Sequence, residues 1–131
     1  MEKFGILTKD IVEKYKRHWA LKDARDAAAR EKLRRDALRT SEKLKDILRD
    51  EFHVKKVILF GSVLKKKYFT ERSDIDIAVE GLKRNAYFIA LARLMMESRF
   101  DIDLKPVEEA NELLSQRIAK GKVLYEKRDH S

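Results

Sequence analysis

Residues Phe60–Val79 read FGSVLKKKYFTERSDIDIAV, a run that joins an apolar stretch to a Gly-Ser pair, a cationic connection and two aspartates inside a second apolar stretch. Val57, Ile58, Leu59 and Phe60 form a short apolar run ending at Gly61, the pattern of a buried strand entering a turn. Gly61 permits a sharp backbone turn and a close approach of ligand to main chain. Ser62 adds a hydroxyl and an amide, so the pair suits a phosphate. Ile75–Val79 is a second strand. Asp74 and Asp76 lie two residues apart along it, so both carboxylates project from one face, roughly 6.6 Å apart, while Ile75 and Ile77 face the other way. A third strand, Phe100–Leu104, brings Asp103 into the same cluster if it neighbours the second. Carboxylates crowded in this way repel by roughly 4 kcal/mol per pair at 4 Å and an effective dielectric near 20. A divalent cation relieves that repulsion, and magnesium, which takes oxygen ligands and keeps phosphate in its shell, fits the donor set. Phosphoryl or nucleotidyl transfer is the chemistry this pattern suggests.

Outward from this stretch the chain alternates helix and strand. Upstream there is no Gly or Pro between Ile6 and Val54, and Thr8–Trp19 and Leu21–Phe52 read as helix. Leu33, Ala37, Leu44, Leu48 and Phe52, with Ile47 alongside, form one stripe that must be buried. Thr40 or Ser41 offers a cap for a new helix, which leaves open whether the segment is one rod or two. Downstream, Ala86–Ser98 is helical, with Phe88, Leu91, Leu94 and Met95 on one face and Met95 and Met96 read as packing. The strand Phe100–Leu104 stops before Pro106, which cannot donate into a ladder. Val107–Ala119 returns to helix, Gly121 ends it, and Val123–Tyr125 is an apolar anchor or a short edge strand. The alternation predicts an α/β fold, a sheet layer with packed helices. Two parts are expected, an N-terminal helical extension over residues 1–40 and a catalytic domain over 41–131.

The 131 residues carry 31 basic and 23 acidic groups, for a net charge of +8. The distribution matters more than the sum: residues 54–72 hold six basic groups and one acidic, and residues 73–104 hold four and six. A cationic segment that attracts phosphate, on a nucleotide or a nucleic acid, precedes an acidic one that can hold a metal ion. With no cysteine, disulfides, thiolate zinc sites and cysteine nucleophiles are excluded. His18, His53 and His130 are too scattered for a histidine zinc site; they read as a helix surface, a junction and a tail. No run of apolar residues is long enough to span a membrane and no signal peptide is evident, so a cytoplasmic protein is expected.

Gly-Ser, eleven residues and then Asp-x-Asp resembles the hallmark of the polymerase-beta-like nucleotidyltransferases, in particular the minimal nucleotidyltransferases. The likeness extends over about Ser41–Glu126: LKDILRDEFHVKKVILFGS resembles the family's leading helix and first strand, and SDIDIAVEGL its second strand and exit turn. FDIDLKP resembles the segment with the third aspartate, and RIAKGKVLYE the usual ending. The resemblance implies a small mixed sheet with packed helices. It implies that Gly61 and Ser62 hold the distal phosphates of ATP, that Asp74 and Asp76 ligate two magnesium ions, and that Asp103 completes the metal site and helps deprotonate the incoming hydroxyl. Asp101 is the alternative to Asp103. Val63 departs from the basic or small polar residue of many members, and Lys65, Lys66 and Lys67 from a frequent glycine. Stand-alone members of this size are commonly antitoxins of HEPN-type toxins, so the resemblance implies transfer of AMP to a tyrosine of such a toxin, with the helical extension suited to docking. A non-catalytic antitoxin, or transfer to RNA or a small molecule, is the alternative. The sequence is silent on oligomeric state.

Overall fold

The long N-terminal segment is one helix. In the computed structural model, which describes residues 2–128, helix α1 runs unbroken over Glu2–Phe52. Thr40 and Ser41 start no new helix because their hydroxyls bond back within the turn, donating to the carbonyls of Asp36 at 3.0 Å and Ala37 at 2.7 Å. At 1.5 Å per residue the 51 residues span about 76 Å. Residues 8–29 are exposed throughout, and burial begins around Arg30, so the helix meets the body of the molecule before the Thr40–Ser41 step. His130 lies outside the described residues.

Strand β1 (Lys56–Phe60) follows, then a short 3-10 turn (Gly61–Leu64), β2 (Ile75–Glu80), α2 (Tyr87–Glu97), β3 (Ile102–Pro106), α3 (Glu112–Ala119) and β4 (Lys122–Glu126). The sheet order is β3-β2-β1-β4, with β1 antiparallel to β2 and β4 and β2 parallel to β3. This is the mixed sheet expected from the sequence. Strand periodicity divides the core: Val57, Leu59, Ile75, Ile77, Val79 and Leu104 pack with Ala37, Leu44 and Leu48 of α1 and Ala90 and Leu94 of α2. Ile58, Phe60 and Ala78 face the other way, against Ile118 of α3. Strand β1 is therefore apolar on both sides because it is covered on both.

Three boundaries differ from expectation. Strand β3 begins two residues later and ends on Pro106, paired with Val79; Pro is tolerated as the last residue of an edge strand. The helix expected over Val107–Ala119 is split into a 3-10 turn (Val107–Glu109) and α3, because Asn111 caps α3 by accepting from the Leu114 amide at 2.8 Å. On α2 the buried face is Ala90 and Leu94, with Tyr87 and Leu91 beside them, whereas Phe88, Met95 and Met96 are exposed. The two methionines do not pack in the core.

Helix α1 ends on a residue in the left-handed region, His53 at φ 53°, followed by a Val54 amide that reaches back to the Leu48 carbonyl at 3.4 Å. Glycine relieves the side-chain strain of that conformation. His53→Gly is expected to stabilise the protein by about 0.5–1 kcal/mol, a rise in melting temperature of roughly 2–5 °C. A thermal melt in which the variant unfolds at or below the parent temperature contradicts this reading of the junction.

Candidate active site

The polypeptide brings the aspartates together through register. In the parallel pair β2/β3, Asp76 lies opposite Asp103, and in the antiparallel pair β1/β2 it lies opposite Phe60, next to Gly61. Asp76 and Asp103 alternate with residues that fill the larger core, so their side chains emerge on the α3 face of the sheet. Asp74 immediately precedes β2 and is exposed. Its position is set by a tight turn in which the Thr70 amide donates to the Ser73 hydroxyl at 2.9 Å and the Ser73 amide to the Thr70 carbonyl at 3.0 Å. Asp101 stays outside β3, exposed, with its carbonyl accepting from the Ile75 amide at 2.8 Å. Of the two candidates for a third carboxylate, Asp103 is thus the one opposite Asp76 in the β2/β3 register.

Gly61 adopts φ +82°, and a Cβ placed on it would overlap the carboxylate of Asp76. The glycine is required twice, for a backbone conformation that other residues resist and for the space that the carboxylate occupies. Ser62 sits one residue on, in the 3-10 turn. Val63, unusual by comparison with the resembled pattern, is fully buried in the larger core and pins the turn from below. Arg34 of α1 donates from Nε to the Val63 carbonyl at 2.8 Å and is itself held by Glu31 at 3.2 Å. Farther along the connection Phe69 is buried against Phe100, with ring centroids 5.8 Å apart, while Lys65, Lys66 and Lys67 remain exposed.

The electrostatics report a strained grouping of negative charge. Burial pushes the Asp76 carboxyl up from its ordinary 3.8 to about 6; the charges of Asp103 and Asp74 add to the rise, and Arg117 and Lys105 oppose it. Lys105 Nζ lies 3.4 Å from Asp103 Oδ1, and the Arg117 guanidinium lies 5.5 Å from the centre of the Phe60 ring. Sequence reasoning missed Arg34, Lys105 and Arg117; a basic residue two positions after Asp103 was the one visible signal. Arg72 lines a crevice with Asp26, Arg30 and Leu33.

Among the described residues no three acidic or imidazole side chains form a complete metal cage. Magnesium does not require one, since it is commonly held by one or two carboxylates together with substrate phosphates and water. The hard oxygen donors and the raised Asp76 pKa fit a divalent cation.

The family model described as polymerase beta, nucleotidyltransferase matches residues 42–130. The chain belongs to the polymerase beta nucleotidyltransferase family. Among solved structures the fold is similar to a MntA–HpeT toxin–antitoxin complex carrying two Asp-to-Glu replacements two residues apart (27% identity, 67% of this chain and 74% of that one, TM-score 0.59). It is similar to a toxin–antitoxin structure with AMP-PNP (29% identity, 67% and 74%, TM-score 0.57). It is also similar to a tri-AMPylated HEPN toxin in complex with MNT antitoxin from Shewanella oneidensis (28% identity, 70% and 73%, TM-score 0.54). No curated protein matches the chain. The resemblance to the minimal nucleotidyltransferases of toxin–antitoxin pairs therefore stands, and the nucleotidyltransferase match leaves most of α1 outside it. No described helix is long and apolar enough to cross a membrane.

The site also predicts a stability change. Asp76 titrates near 3.8 when unfolded and near 6 when folded, so the folded state binds its proton more tightly. The associated stability is full below the unfolded value and is lost as pH rises through 6. Half exposure discounts the effect to on the order of 1–2 kcal/mol at neutral pH. Asp76→Asn is expected to melt higher than the parent at pH 7.5 in a chelator, with the advantage fading by pH 4; a variant that melts lower at pH 7.5 contradicts the assignment.

Proposed function

We propose that this chain is a magnesium-dependent nucleotidyltransferase that moves AMP from ATP to a tyrosine hydroxyl of a HEPN-type toxin, acting as the antitoxin of that pair. The observation that carries the proposal is the half-buried Asp76, held between Gly61 and Asp103 on one face of the sheet. The similar structures with AMP-PNP and with a tri-AMPylated toxin support the choice of nucleotide and acceptor.

In this reading Asp74, Asp76 and Asp103 hold the metal. When bound, magnesium supplies positive charge against the triphosphate and the developing negative charge of the transition state. Gly61 and Ser62 receive the distal phosphates on the turn that Arg34 and Val63 brace. Asp103 accepts the tyrosyl proton as the phenolic oxygen bonds to the α-phosphorus, and the bond from that phosphorus to the β-phosphate oxygen breaks, releasing pyrophosphate. Arg117 and Lys105 balance the carboxylates before substrate enters and stand within electrostatic reach of the phosphates. The exposed arm of α1, residues 8–29, carries Ile11, Tyr15 and Trp19 and suits contact with the acceptor protein.

The arm also favours one other reading, neutralisation of the toxin by contact alone. Both are tested by incubating the protein with magnesium, ATP labelled at the α-phosphate and a verified partner, a helical protein with an Arg-x(4–6)-His motif. Label is expected on a partner tyrosine, reduced on the order of 100-fold or more by Asp74→Asn or Asp76→Asn. An unlabelled partner refutes the proposal, and aspartate variants that still neutralise the toxin in cells favour contact alone.

A further inference from the structure

Helix α2 has more apolar surface than the fold uses. Its sequence, YFIALARLMME, contains two charged residues, Arg93 and Glu97, and is otherwise apolar on nearly every side. A helix of that kind is normally covered all round. The inner side is accounted for by Ala90, Leu91 and Leu94, and by Tyr87, whose hydroxyl donates to the Leu104 carbonyl at 2.7 Å. On the outer side Phe88 is 79% exposed, Ile89 66%, Met95 54% and Met96 82%, and Ala92 between them is exposed as well. Those five residues fall within an arc of about 120° on the helix. The charge at the border is already matched: Arg93 lies 3.0 Å from Glu51 and 2.7 Å from Glu97.

The spacing is symmetric about Ala92. Phe88 and Met96 lie four residues to either side of it, and Ile89 and Met95 three residues to either side. We infer that the outer face of α2 is a two-fold interface between two copies of this chain, with the helices antiparallel and crossing at Ala92. In a two-fold pair the same patch serves both copies, so each residue contact is made twice, as an isologous interface requires. In that arrangement Phe88 of one copy meets the thioether of Met95 of the other, a favourable sulfur–aromatic pair, and Ile89 meets Met96. The methyl group of Ala92 lets the helices approach to about 8 Å, the close end of helix packing.

The area approaches what a dimer needs. The five side chains expose roughly 600 Å² per protomer, taking the areas typical of large apolar side chains. That reaches the upper limit of patches left open on monomers, about 300–600 Å², and most of the roughly 800 Å² per partner of a stable interface. Exposed Asn85 and Arg99 supply polar ends. The aspartates project from the opposite side of the sheet, so the pairing leaves them open and is independent of the proposed reaction.

The chain has no cysteine, so a single introduced one reports directly. Sedimentation equilibrium from micromolar to submillimolar protein is expected to give twice the 15.5 kDa chain mass. Met96→Lys, an exposed position, is expected to weaken the association at least roughly tenfold with an unchanged far-ultraviolet circular dichroism spectrum. Under mild oxidation Ala92→Cys is expected to form a disulfide-linked dimer while the exposed control Gln116→Cys does not. A parent protein that stays monomeric throughout, a Met96→Lys variant that associates like the parent, or equal cross-linking of the two cysteine variants overturns the inference. So does a parent that stays monomeric alone and uses this face only with a different protein.

Discussion

The repulsion among Asp74, Asp76 and Asp103 is the constraint around which the rest of the molecule is arranged. A single strand register creates it: with β2 and β3 parallel, Asp76 stands opposite Asp103, and burial and the neighbouring charges lift the Asp76 pKa to about 6. Such a grouping is unfavourable on its own, and in the proposed function a cation and a polyanion arriving together relieve it. Arg117 and Lys105 offset part of the repulsion in the meantime, from elements on the same face of the sheet.

The turn beside the aspartates is held from both ends. Gly61 leaves room for the Asp76 carboxylate, Val63 is anchored in the core, and Arg34 of α1 fixes the Val63 carbonyl. Helix α1 consequently has two roles. Its C-terminal half covers the sheet through Ala37, Leu44 and Leu48, and the Arg34 bond ties it to the turn. Residues 8–29 leave the body exposed, beyond the segment matched by the nucleotidyltransferase family.

The sequence shows the sheet and the acidic face plainly: the continuous apolar run Val57 to Phe60 reads as a buried strand, and in the second strand Asp74 and Asp76 alternate with Ile75 and Ile77 and so share a face. The register that sets Asp103 opposite Asp76 is not visible in the sequence, because Asp101 and Asp103 sit two residues apart on the same apparent strand, and only the later start of β3 separates them. Helix ends were less legible. Asn111 captures the Leu114 amide and shortens a helix whose apolar spacing ran back to Val107, and the Thr40 and Ser41 hydroxyls turn inward where a cap was equally plausible. The apolar spacing of α2 misled for a different reason. Phe88 and Met95 share a stripe with residues of the core, yet the helix is apolar on both sides, and periodicity alone cannot say which side faces inward.

The account stands on cooperative uptake of nucleotide and metal at the aspartates, and calorimetric titration of a non-hydrolysable ATP analogue into the protein tests it most directly. Binding is expected with magnesium present, and is expected to vanish both in a chelator and in Asp74→Asn with magnesium restored. Nucleotide binding of equal strength with and without magnesium, or none in either condition, would contradict it.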